Sequence, residues 1–216
     1  MSESPLGTHA GPIAVSAGGL LVVAHVGMFL TGDRSDLVAM MKDPLFLPFN
    51  AAYFIAFPLL LIALVAVYRR QEREAGAFGA IAFCTAATGT VALAGDMWFE
   101  GFAVPWLAQT APASISGPAP SGSLLWTAWL VSVVLFSLGW TLFGLASVRA
   151  GILPRALSLA VAVGGAIGFL AAMPPWGLAL GLAIAAVGIW TIRQDRTLER
   201  LGTHPARIPV AVATNR

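Results

Sequence analysis

Six apolar runs, each about the length that crosses a bilayer core, limit what this chain can fold into. They cover roughly 12–31, 49–68, 77–96, 124–148, 156–173 and 176–192, and arginines, prolines and short polar clusters fall between them. Of the 216 residues, 58% are hydrophobic and 10% charged, where a soluble domain carries roughly 25% charged residues. Mean hydropathy is +0.83. In hydrocarbon a backbone must satisfy its own N–H and C=O groups, so these runs read as helices. The expected fold is all-α: a polytopic integral membrane bundle of six transmembrane helices in a single domain, with a basic cytoplasmic tail over 193–216.

The boundaries follow from the punctuation. MSESPLGTHAG lacks Lys and Arg and leads into a full-length apolar run, which reads as a retained first helix rather than a cleaved signal. Pro58 is expected to kink the second run. The segment Gln109 to Ser123, QTAPASISGPAPSGS, is a loop by composition. Gly164 with Gly168, and Gly177 with Gly181, would let the last two helices approach closely. The two three-helix halves do not repeat one another, which weighs against a transporter built from inverted repeats.

Six crossings put both termini on one side. That side collects Arg69, Arg70, Arg73, Arg149, Arg155, Arg193, Arg196, Arg200, Arg207 and Arg216, against Arg34 and Lys42 on the other. Basic residues stay inside, so both termini are expected in the cytoplasm and the protein in the cell membrane. The sequence pI of about 9.2 has the same origin. It forms no basic stripe with interleaved aromatics, so no nucleic-acid partner is expected. The single cysteine, Cys84, lies inside an apolar run and gives neither a disulfide framework nor a cysteine metal site.

One stretch breaks the apolar monotony. In GTVALAGDMWFEGFAVPW, from Gly89 to Trp106, Asp96 and Glu100 stand one helical turn apart among large aromatics. Ionisable groups at membrane depth are costly and usually mark a function or a buried polar pairing. The six-crossing topology brings His25, Asn50, Tyr53, Trp126 and Trp129 to the same extracytoplasmic level, beside Trp98, Phe99, Phe102 and Trp106. A cavity walled by aromatics and holding the carboxyl pair with His25 is the expected site. Plainer readings stand beside it. Tryptophans at helix ends form interfacial belts, a lone histidine hydrogen-bonds between helices, and the loop acids Asp33, Asp36 and Asp43 are solvated.

Two carboxyls on adjacent turns repel when both are ionised, so the pair is expected to hold a proton between them. A carboxylic acid in a dry aromatic pocket is a proton donor, and protonating an alkene or epoxide makes a carbocation that tryptophan faces stabilise. His25 would orient and replace that proton. In these features the chain resembles the integral-membrane terpene cyclases of meroterpenoid pathways, and most of all the bacterial indole-sesquiterpene cyclases of the drimentine type. The resemblance implies Asp96 and Glu100 as acids, and protonation-initiated cyclisation of a lipophilic, neutral prenylated acceptor such as a farnesylindole. It is a likeness of plan rather than of any long signature. The DxDD and DDxxD motifs are absent, and Asp33-Arg34-Ser35-Asp36 falls on the wrong side for a cytoplasmic diphosphate, so neither metal nor other cofactor is expected. Three other classes compete. A haem protein would use His25 but needs a second axial ligand, and His9 and His204 lie outside the runs. A proton- or cation-coupled carrier would use the acid pair as its ion site. A non-catalytic accessory protein would use it only to end a helix.

Overall fold

The computed structural model describes residues 5–31, 36–115, 120–168 and 175–200. Their order is α1 (Pro5–Leu30), α2 (Leu37–Met41), α3 (Phe46–Trp98), a π turn (Phe99–Ala103), α4 (Val104–Thr110), a 3-10 turn (Pro112–Ser114), α5 (Leu124–Ala150), α6 (Arg155–Ile167) and α7 (Leu178–Arg200). No strand occurs among the described residues. Four helical stretches are long and apolar enough to cross a membrane: His9–Leu30, Phe46–Thr110, Leu124–Ala150 and Leu178–Thr197.

The count of four differs from the six expected runs for two physical reasons. The second and third runs share α3, whose backbone breaks at Gly76 (φ 59°, ψ −152°), a conformation open to glycine alone. A straight helix of 53 residues would be about 80 Å long, far beyond a bilayer core of about 30 Å. Instead the two arms fold back on each other. Tyr68 stacks on Phe83 at 4.3 Å near the elbow, and Gly101 meets Asn50 at the far ends. Pro58, expected to kink its run, keeps helical torsions, and Gly76 is the only position inside α3 that departs from them. The second reason is α6. It has 13 residues, about 20 Å of helix, and the end of the expected fifth run, 169–173, lies outside the described residues.

Helix ends correct other boundaries. α7 carries Arg193, Arg196 and Arg200 on its last turns, so the expected tail begins as helix, and 201–216 lie outside the described residues. Gln109 and Thr110 belong to α4 rather than to the loop. Asp36 caps α2 by accepting from the Ala39 N–H at 3.0 Å, and Asp43 accepts from the Leu45 N–H at 2.8 Å, so these loop acids tie local turns. Asp33 and Arg34 lie outside the described residues. At the other end of the chain, Ser123 caps α5, and Gly151 (φ 69°) ends it in the left-handed conformation.

Neighbouring passes run antiparallel, and glycine sets how near they come. His25 meets Tyr53 and Gly27 meets Phe49, pairing α1 with the first arm of α3. Gly89 lies on Phe136 and Gly139 on Ala86, pairing the second arm with α5. Gly144 lies on Ala162, pairing α5 with α6. A Cβ on Gly164 would sit 2.7 Å from the Leu180 Cα, pairing α6 with α7 as expected. Gly181 and Gly177 instead face α1, against Gly18 and His25, which closes the bundle on itself. Small residues at such contacts let backbones pack by dispersion where lipid offers no hydrophobic drive. Trp140 fills the centre with Phe136, Leu60 and Leu180, and its indole N–H donates to Thr90 Oγ1 at 3.1 Å. The surface is apolar along the helices, with Ile81, Val91 and Leu182 about 60% exposed. Arginines gather at one end, where Arg70 pairs with Asp195 at 3.0 Å across α3 and α7.

Candidate functional site

The opposite end of the bundle holds the polar residues singled out by sequence. α1 presents His25, the first arm of α3 presents Asn50 and Tyr53, and the π turn presents Glu100. All four line one cavity of about 50 Å³. The rest of its wall is Leu21, Met28, Phe57, Leu93, Met97, Phe136, Gly177 and Leu180. Sequence reasoning passed over these residues, since an apolar side chain inside an apolar run carries no signal of a cavity.

His25 and Asn50 are each 2% exposed, and Tyr53 5%. The Tyr53 hydroxyl lies 2.6 Å from His25 Nδ1, and the two rings meet edge-on at 4.8 Å. This is possible only because residue 177 is glycine: a Cβ there would overlap the imidazole at Nε2. Asn50 Nδ2 donates to the Phe46 carbonyl and toward Met28 Sδ, both at 3.5 Å. Gly101 again lets the chain come close, because its Cβ would stand 3.2 Å from the Asn50 Cβ. A wide turn of this kind inside a helix often accompanies a functional position.

Asp96 and Glu100, expected on one face, part company here. Asp96 ends α3 facing Ser132 of α5, does not line the cavity, and has Oδ2 buried without a hydrogen-bond partner. Glu100 is half-buried and enters the cavity, with Asp96 as its charged neighbour. Asp96 belongs to the last turn of α3 and Glu100 to the π turn that follows it.

The aromatics lie elsewhere. Trp98, Phe102 and Trp106 are 51%, 39% and 62% exposed on the outer surface. Phe102 meets Phe54 edge-on at 5.9 Å and Trp98 at 6.2 Å. Phe99, Trp126 and Trp129 are half-buried, Trp129 against the core, and none of the six lines the cavity. His9, the other described histidine, is exposed at the arginine-rich end, so it cannot serve as a second axial ligand beside His25. Among the described residues no three His, Cys, Asp or Glu side chains gather as a metal site would require.

The arrangement offers an acid, an imidazole held by a phenol, and a carboxamide around space for a few waters. Such a set can take up, hold and pass a proton. No protein-family model, curated protein or solved structure matches the chain.

Proposed function

We propose that this is a polytopic protein of the cell membrane that handles a proton at the Glu100–His25–Tyr53 cavity. The observation that carries the reading is the convergence of these three side chains, from three separate helical passes, on one buried space. The phenol oxygen and Nδ1 share one hydrogen bond, and which of them donates follows the imidazole tautomer. Tyr53 and His25 Nδ1 can share a proton in the cavity that Glu100 also lines, and this is what supports proton handling there. Asp96 and Ser132 form the neighbouring polar pair from which a proton is replaced. Six crossings with both termini in the cytoplasm are supported by the alternating direction of successive passes and by the eight described arginines at one end, against Lys42 at the other.

A cavity of about 50 Å³ accommodates water or a small cation, so proton- or cation-coupled carriage is the first use we assign to the site. Protonation-initiated cyclisation of a neutral prenylated acceptor, without metal or other cofactor, is the second. Its support is the apolar remainder of the wall, Leu21, Phe57, Leu93, Met97, Phe136 and Leu180, which suits a hydrocarbon chain. It requires the wall to open toward the bilayer, because a farnesyl chain exceeds the present volume. Trp98, Phe102 and Trp106 stand at that outer surface.

The test is reconstitution in liposomes with an imposed pH gradient, read by an internal dye, against Glu100→Gln. Wild-type flux that falls at least tenfold in the variant, while folding is kept, supports carriage. In parallel, 3-farnesylindole is supplied without metal, and a product of equal mass but different retention time, lost in Glu100→Gln, transfers the site to cyclisation. Neither flux nor product would leave the acid a structural helix-end group and overturn the proposal.

A further inference from the structure

A second cavity lies at the arginine-rich end, away from the polar site. It is an open hollow of about 540 Å³ where α5 turns into α6, walled by Val148, Gly151, Leu153 and Arg155, with Trp190 of α7 opposite. Arg155 is exposed and has no acidic partner, the pair between Arg70 and Asp195 being the only salt bridge among the described residues.

Exposed aliphatic side chains stand on α6 and α7 beyond the hollow. Arg155, Leu159 and Val163 recur every four residues and so occupy one face of α6. Leu159 and Val163 are 41% and 54% exposed. On α7, Trp190 and Leu182 stand two such steps apart, and Leu182 is 60% exposed. Gly164 meets Leu180 toward the middle of the bundle, and Arg155 and Trp190 line the hollow at its end. One cation lines the hollow together with an aromatic side chain, and aliphatic side chains are exposed from there toward the middle of the bundle. That pattern matches an amphiphile with one anionic head. A free phosphate would engage Arg155 and leave the aliphatic side chains unused.

We propose that this hollow binds an anionic glycerophospholipid, its phosphate on Arg155, its glycerol edge against Trp190, and one acyl chain along Leu159, Val163 and Leu182. The assignment rests on membrane insertion of the chain and is independent of what Glu100 does. Basic pockets between helices on the cytoplasmic side are suited to such headgroups.

The full chain is placed in nanodiscs containing phosphatidylglycerol and phosphatidylcholine in equal amounts, and the lipid retained after gentle extraction is identified by native mass spectrometry. Phosphatidylglycerol should be retained preferentially at one site per chain. Arg155→Gln should weaken its retention about fivefold, the size of one cation at an anionic surface. Leu159→Gln should shorten retention of both lipids, whereas Arg73→Gln, at the same end but outside the hollow, should change nothing. Equal retention of the two lipids would overturn the proposal, as would losses of the same size in Arg73→Gln and Arg155→Gln. Displacement by excess inorganic phosphate would assign the hollow to a free anion and likewise overturn the lipid reading.

Discussion

At the scale of single residues, the absence of a side chain at 177 sets the geometry of the candidate site. His25 reaches Tyr53 because nothing occupies the space beside Nε2, and a methyl group at 177 would overlap the ring. Gly177→Ala should therefore destabilise the protein by about 1–3 kcal/mol, the usual cost of forcing atoms into a packed core. It should also separate His25 from Tyr53. Thermal unfolding in detergent checks the first effect. Adding His25→Ala should restore much of the loss by vacating the space, and a double variant no more stable than Gly177→Ala would refute the steric cause. Sequence reasoning found His25, Tyr53, Asn50 and Glu100 because polar groups in apolar runs stand out against their surroundings. Gly177 gave no such sign, since in the sequence it was one of several small residues at helical spacing.

At the scale of elements, the chain turns where torsions allow it rather than where proline suggests it. Pro58 lies within an arm and keeps helical torsions, while Gly76 adopts a region that a β-carbon makes costly. Gly76→Ala should cost about 1–3 kcal/mol. Gly95 is helical and has open space around it, so Gly95→Ala should instead stabilise by up to about 1 kcal/mol. Melting temperatures of the two variants moving in opposite directions would bear this out, and equal shifts would refute it. The all-helical, apolar character is readable from hydropathy, because burial in lipid and burial in a bundle both select apolar residues. Among the described residues, however, four stretches rather than six are long and apolar enough to cross a membrane. The π turn was not readable. It lies where Gly101 comes close to Asn50, a tertiary contact that no periodicity in the sequence marks. Trp98, Phe102 and Trp106 are exposed rather than lining the cavity, because which side of a helix meets its neighbours is set by packing and not by composition.

At the scale of the whole molecule, direction alternates from pass to pass, and the two ends differ in charge. The elbow at Gly76 lies among Arg69, Arg70 and Arg73, one pass away from Lys42. In a Cys84→Ala background, a cysteine replacing Arg73 should react with a membrane-impermeant maleimide only in inside-out vesicles, and one replacing Lys42 only in intact cells. Labelling of both from the same side would mean that the first arm does not cross. The polar cavity lies at one end of the bundle and the hollow lined by Arg155 at the other, so the two proposals can be tested separately.

The central claim is that Glu100 and the His25–Tyr53 pair form one site. It is tested most directly by a double-mutant cycle in liposomes, with proton flux compared for wild type, Glu100→Gln, Tyr53→Phe and the double variant. Residues acting as a unit do not add, so the double variant should be no slower than Glu100→Gln alone, with each single variant already impaired. Flux losses that multiply, or full flux in Glu100→Gln, would contradict a shared proton-handling site.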